Sequence, residues 1–310
     1  MRPVLFYTDH HQFPLPEGHK FPLPKYRLVR ELLEASGQFD LRPAPLADVE
    51  AIERIHDPKY VRDFIEGTLP PVAMRRIGFP WSEQLVRRTL ASVGGTLAAT
   101  RQALESGFGG TLAGGTHHAF RAEGSGYCVF NDIAVAIEML RSKGRASRFA
   151  VVDLDVHQGD GTAQIFEDDP DVLTLSMRGG KNFPFRKQRS KLDIELDDGT
   201  ADAEYLRRLE PALAAVTEFA PDFVFYQSGV DPLDSDRLGR VSVTMEGLAQ
   251  RDRQVFEMVQ RLSCPVVVTL GGGYSDPIER TAQAHAQTFQ IAVEILNTRH
   301  TEVPPQPLRS

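Results

Sequence analysis

The segment "VVDLDVHQGDG", 151–161, sets three carboxylates and an imidazole behind an apolar run of strand length. On an extended chain, residues two apart face the same way, about 6–7 Å apart. Asp153, Asp155 and His157 would then share a face, with Leu154 and Val156 packed on the other. Carboxylates that close repel one another, and burial raises the cost. A cation relieves it, and a neutral imidazole beside them is a ready ligand. One D-x-D alone reads best as a polar cap on a strand end. With His157, Asp160 and the glycines added, the reading moves to a metal site.

Three further clusters carry chemistry. In "GGTHHAF", His117 and His118 are adjacent and would face opposite sides of a strand. Gly114 and Gly115 permit the turn that could bring both to one pocket, where imidazoles suit proton transfer. Taken alone, such a pair reads better as a surface pair, or as one core histidine with a hydrogen bond. In "SGVDPLDSDRLG", Asp231 ends an apolar run and is a candidate third ligand, although Pro232 also suits a turn carboxylate. Asp234 and Asp236 read as turn residues. In "LGGGY", Tyr274 carries a phenol whose ordinary pKa of ~10 keeps it protonated, able to donate to an oxyanion. The glycines before it lack the lysine and the G-x-G-x-x-G spacing of a phosphate loop.

These clusters need elements to position them. Apolar runs rich in β-branched and aromatic residues occur near Val4, Val151, Leu173, Val224 and Val267, with a shorter "TLA" near Leu112. They predict strands buried on both faces. Amphipathic stretches predict helices over 26–35, 83–106, 132–143, 203–219, 246–262 and 277–296. The alternation implies an α/β fold, an open and mostly parallel sheet with helices on both faces. Ligands of such sheets sit at the carboxyl ends of strands, where the polar clusters fall. The segments 68–80 and 178–189 read as loops, the second basic, and the tail from Thr301 as frayed. One domain spanning 1–310 is expected.

A formal charge of −7 over 310 residues argues against nucleic-acid partners and anionic membrane surfaces. Two cysteines, Cys128 and Cys264, are too few for a disulfide framework or a thiolate metal site. No signal peptide or membrane span is read, so the expected location is cytoplasmic.

Together, "GGTHHAF", "GYCVFND", "VVDLDVHQGDGT", "QSGVDPLDSDRLG" and "LGGGY" resemble, in order, the motifs of the zinc-dependent histone deacetylase family, with its arginase/deacetylase fold. The resemblance implies Asp155, His157 and Asp231 as zinc ligands. It implies His117 and His118 as the proton-handling pair, oriented by Asp153 and Asp160, and Tyr274 as the residue polarising the scissile carbonyl. Gly126, Tyr127, Phe183, Gly272 and Gly273 are implied along a narrow acyl-lysine tunnel. A monovalent cation such as K⁺ is implied near Asp153, Asp155, His157 and Ser176. "GLAQRD", 247–252, looks like the class IV-type branch and its bacterial relatives.

The expected activity is removal of an acetyl or other acyl group from a lysine side chain in a protein or peptide. The alternative substrate is a small acetylated amine such as an acetylpolyamine. Zinc is the expected metal, and the oxygen-rich Asp–His–Asp set also suits iron(II). A binuclear ureohydrolase would need more carboxylate ligands, and a non-catalytic binder should have lost one of these groups. The family's acidic rim residue has no counterpart placed here. The basic segment 178–189 either shapes substrate preference or is a solvated loop.

Overall fold

A computed structural model describes residues 2–296 of the chain; the tail from Thr301 lies outside them. Its centre is one eight-stranded sheet in the order β2-β1-β3-β8-β7-β4-β5-β6. The strands are β1 (Val4–Tyr7), β2 (Asp40–Pro43), β3 (Phe108–Thr111), β4 (Phe149–Asp153), β5 (Val172–Gly179), β6 (Leu192–Leu196), β7 (Phe223–Gln227) and β8 (Val266–Thr269). Every neighbouring pair is parallel.

Alternation along the strands divides the core in two. Phe223 and Phe225 of β7, with Val151 of β4 and Val267 of β8, pack into one apolar layer. Val224, Tyr226, Val152 and Val268 pack into the other. The first layer is covered by α2 (Val49–Glu53), α3 (Pro58–Glu66), α4 (Pro71–Ile77), α5 (Glu83–Ser106), α6 (Asp132–Ser142) and α7 (Asp160–Ile165). The second is covered by α1 (Pro24–Ser36), α8 (Asp202–Phe219), α9 (Met245–Leu262) and α10 (Ile278–Leu296). Helices therefore lie on both faces, and the open parallel α/β sheet read from the sequence is present. No helix among the described residues is long and apolar enough to cross a membrane.

Four differences from the expected elements have physical causes. The edge strands β2 and β6 were not foreseen, because "DLRP" and "LDIEL" are short and half polar, as edges are. The strand before the histidine pair is "FGGT", upstream of the "TLA" run. Segment 68–80 is not all loop. It holds α4, and its proline and glycine are a helix start at Pro71 and a left-handed stop at Gly78, φ 93°. Segment 178–189 is not all loop either. Arg178 ends inside β5, buried, and bonds Asp193 at 2.5 Å and Glu195 at 3.0 Å.

The polar clusters follow β3, β8, β7 and β4, which are consecutive neighbours at the centre of the sheet. One stretch of carboxyl edge thus receives all of them.

Candidate metal-dependent active site

β4 ends at Asp153, and the chain bends before α7 begins at Asp160. The shared face expected of an extended segment is replaced by this bend. The Asp153 carboxylate accepts the Asp155 N–H at 3.1 Å and Asp155 accepts the His157 N–H at 3.0 Å. Asp155 and His157 are thereby turned towards Asp231, which follows β7. One ligand atom from each of the three lies within 4.8 Å of the others. His157 Nδ1 is 3.1 Å from Asp155 Oδ1 and 3.0 Å from Asp231 Oδ2. A Cβ at Gly272 would meet Asp231 Oδ2 at 2.0 Å, so glycine is required for the turn after β8 to pass this close. The Gly272 N–H in turn donates to Asp155 at 2.7 Å.

The charge balance of this set fits a divalent cation. Burial and repulsion from Asp155 push the Asp231 carboxyl up to about 7. Burial alone would lower His157, but its bonds to Asp155 and Asp231 raise it to about 10. The set therefore holds protons that a bound cation would displace, and metal binding should release them. One imidazole and two carboxylates leave room for further ligands, as catalytic zinc requires.

The histidine pair arrives on the turn after β3. Gly114 and Gly115 take φ of 74° and 69°, and the rings of His117 and His118 end 4.1 Å apart. His117 Nδ1 lies 2.7 Å from Asp153 Oδ2, and His118 Nδ1 lies 2.6 Å from Asp160 Oδ1. Both Nε2 atoms remain for chemistry. The dyads look alike but differ electrostatically. Burial would lower His117, but Asp153 and Asp155 outweigh it and push it up to about 9. Burial and the neighbouring His117 charge lower His118 to about 4, against the pull of Asp160.

Tyr274 is buried, and burial holds its phenol well above 10, so it remains a proton donor at neutral pH. Its ring faces that of Tyr127 at 6.4 Å, and Phe183 stands edge-on to His118 at 5.0 Å. Gly126, Tyr127, Phe183 and Gly272 all line a cavity of about 880 Å³ that reaches His117, His118, Asp155 and His157. Gly273 does not line it. A Cβ there would face Thr281, Val230 and His285, on the side of α10.

Several positioning residues escaped the sequence reading. Asp132 accepts from the Gly115 and Thr116 N–H groups at 3.0 and 2.8 Å and from both Thr96 and Thr116 hydroxyls. Gln227 donates to the Gly115 carbonyl at 2.9 Å, clamping the same turn to β7. Asp236, expected to be a simple turn residue, accepts the Tyr274, Leu238 and Gly239 N–H groups. Buried Lys25 donates to the Gly271 carbonyl at 2.9 Å, with its ammonium 5.5 Å from the Tyr274 ring centroid. Buried Arg251 donates to the Gly229 carbonyl at 2.6 Å, just before Asp231. The only advance sign of Asp132 was the motif "GYCVFND"; Gln227 and Asp236 lie in "QSGVDPLDSDRLG" and Arg251 in "GLAQRD", none with a positioning role expected, and Lys25 carries no local signal.

The architecture is that of the arginase/deacetylase fold. An acetylpolyamine aminohydrolase from Burkholderia pseudomallei matches it with a TM-score of 0.78 and 20% identity, over 94% of this chain and 99% of that one. Residues 19–291 match the histone deacetylase domain, and the chain belongs to the histone deacetylase family. It is 44% identical to an uncharacterized protein of Picosynechococcus sp. over 94% of this chain and 99% of that one. It is 29% identical to the acetoin utilization protein AcuC of Bacillus subtilis, over 98% of this chain and 84% of that one. Histone deacetylase 2 of Arabidopsis thaliana is 38% identical over 59% of this chain, which spans about half, 48%, of that relative. Membership makes the chain a deacetylase, a hydrolase acting on amide bonds whose family implies a divalent metal.

Proposed function

We propose that the protein is a zinc-dependent deacylase acting on acyl-lysine side chains of proteins or peptides. The observation that carries the proposal is the convergence of two His–Asp dyads and Tyr274 on the Asp155–His157–Asp231 donor set, at the floor of an aromatic-walled cavity. Those three residues would hold the metal, which supplies a water of lowered pKa and a Lewis acid for the acyl carbonyl. Iron(II) suits the same donors.

The chain's own groups do the rest. His118, the neutral member of the pair, is assigned to accept the water proton at Nε2 and pass it to the departing amine. Asp160 fixes the ring that does this, and Asp153 fixes the His117 ring beside it. Tyr274 donates a hydrogen bond to that oxyanion. Tyr127 and Phe183 enclose the lysine methylenes. A monovalent cation such as K⁺ is assigned beside Asp153. In support, Ser176 is paired with Asp153 in the strand register, and its buried hydroxyl has no hydrogen-bond partner.

The competing substrate is a small acetylated amine, the class in the name of the Burkholderia protein of like fold. The test is a panel of lysine peptides bearing acetyl, lactoyl, crotonyl and long-chain acyl groups, run with zinc-loaded protein against acetylpolyamines. Release from at least one peptide, lost in Tyr274→Phe, is expected. No release from any peptide, with Tyr274→Phe indistinguishable from wild type, would sink the proposal.

A further inference from the structure

We infer that the mouth of the cavity recognises anionic groups, so that the substrate is an acyl-lysine flanked by acidic residues and not an acetylated polycation. The inference rests on the deacylase reading above and names its substrate class. The exposed residues lining the cavity are Arg76, Lys181, Phe185, Arg237 and Arg240. Four of the five are cations. The whole lining contains one carboxylate, Asp155, which belongs to the metal donor set.

The neighbouring acids neutralise these cations only in part. Arg76 pairs with Glu123. Lys181 and Arg240 share a single carboxylate oxygen of Asp198, at 3.4 and 2.7 Å. Arg237 has no carboxylate partner among the described residues. Its Nε donates to the Tyr274 carbonyl at 3.2 Å, which leaves both terminal nitrogens for a ligand. About two positive charges thus remain at the entrance of a protein whose formal charge is −7. An acetylpolyamine would carry its own ammonium groups past them and meet no counter-charge, whereas Asp or Glu beside an acyl-lysine would meet Arg237, Lys181 and Arg240.

Arg237 is the specificity-determining residue in this arrangement. It joins the rim to the backbone of Tyr274, so a bound carboxylate is read within one residue of the phenol.

The test compares three acetyl-lysine peptides that differ only in acidic, neutral or basic flanks, together with N8-acetylspermidine. At ~20 mM salt, kcat/KM should favour the acidic over the basic peptide by ~10-fold, and acetylspermidine should fall below the neutral peptide. The preference should shrink at ~0.5 M salt, where the screening length drops to a few ångströms. Lys181→Glu combined with Arg240→Glu should reverse the preference, read as the acidic-to-basic ratio of kcat/KM, in which any effect common to both peptides cancels. Arg237→Gln should remove most of the acidic-to-neutral ratio, in which any effect through Tyr274 cancels. Equal rates for acidic and basic peptides, a ratio untouched by these variants, or acetylspermidine as the best substrate would overturn the inference. Should no substrate turn over, the deacylase reading fails. The mouth is then read by fluorescence anisotropy of the acidic and basic peptides on zinc-loaded Tyr274→Phe, where equal or absent binding overturns it.

Discussion

The floor of the cavity and its mouth are built by opposite rules. At the floor, both imidazoles of the pair are buried and tied to a second group: His117 to Asp153, His118 to Asp160, and the turn that bears both to Asp132 and Gln227. At the mouth, Lys181, Phe185, Arg237 and Arg240 are exposed on loops, and Phe185 keeps 89% of its surface in water. Misplacing a floor group costs catalysis, because its work depends on preorganised geometry. A mouth group acts through charge and contact in high dielectric, where each interaction is small. The contrast orders what substitution should do.

The largest effect is expected from Asp231→Ala. It leaves two of the three donors and a buried cavity with no replacement. Elemental analysis should find zinc content near zero, and kcat/KM should fall ~10⁴-fold or more, since Lewis acid and activated water go together. Tyr274→Phe comes next. It should bind metal as the wild type does and lose ~10²–10³ in kcat, the usual weight of one oxyanion donor. A Tyr274→Phe enzyme that lost zinc as well would place the phenol in the metal site and spoil the division of labour.

The floor also has a pH cost of comparable size. Buried His56 accepts the Asn131 N–H at 2.8 Å, and its Nδ1 lies 3.2 Å from the Arg121 carbonyl. Asn131 in turn caps α6 and holds the Ala119 carbonyl next to the histidine pair. Only a neutral ring can accept at one nitrogen while donating at the other. Burial accordingly lowers His56 to about 4. The unfolded chain takes up this proton near pH 6.5 and the folded protein only near 4, so the contribution is present above 6.5 and lost as pH falls towards 4. The loss is of order 3 kcal/mol. Urea unfolding across that window should show a steep decline, and His56→Gln should flatten it while lowering stability at pH 7. Equal slopes would show that the acid sensitivity lies in His118 and His285, whose pKa values are also lowered.

Asp160→Asn tests the dyads against each other. The substitution removes a charge that raises His118 while keeping the shape of its partner. We expect a ~10–100-fold loss in kcat. His118 should become less basic, so the acid limb of the kcat/KM profile should move to lower pH. An unmoved limb would mean that another group accepts the proton.

Sequence legibility follows the same division. The central strands were readable because a strand buried on both faces must be largely apolar, as "FVFY" of β7 is. The metal and histidine clusters were readable because their residue types are costly to bury without a purpose. The edge strands were not: β2 is four residues and half polar, and β6, although it alternates as a half-buried strand does, is only five residues long. Nor were Asp236, Lys25, Gln227 and Arg251. Each holds a backbone group distant in sequence, Lys25 reaching 246 residues to Gly271, and no local pattern encodes such a contact. Gly273 was grouped with Gly272 because adjacent glycines look alike in a string; the turn sends one towards Asp231 and the other towards Thr281. The cationic mouth was legible only in part. Arg178 belonged to the basic run 178–189 yet is buried in an ion-paired strand, while Arg237 and Arg240 come from within and just after "SGVDPLDSDRLG", which was read for Asp231 and its turn aspartates.

The smallest effect is expected at Phe185, and it is the sharpest check on the contrast. Its ring lines the cavity entrance but touches water over most of its surface, so removing it opens no cavity in the core. Phe185→Ala should change unfolding stability by less than ~0.5 kcal/mol, the range of ordinary surface substitutions. It should leave kcat within about twofold, because no group at the floor bonds to it. KM should rise a few-fold for peptides with an apolar residue beside the acyl-lysine, and not for those without one, since a half-wetted ring recovers only part of the ~2 kcal/mol that full burial of such a side chain yields. Steady-state kinetics on two such peptides, with a thermal melt, decide the matter. If kcat instead falls as far as in Asp160→Asn, the loop carrying Phe185 closes over the substrate as part of the catalytic floor, and the boundary between chemistry and recognition must be drawn further out.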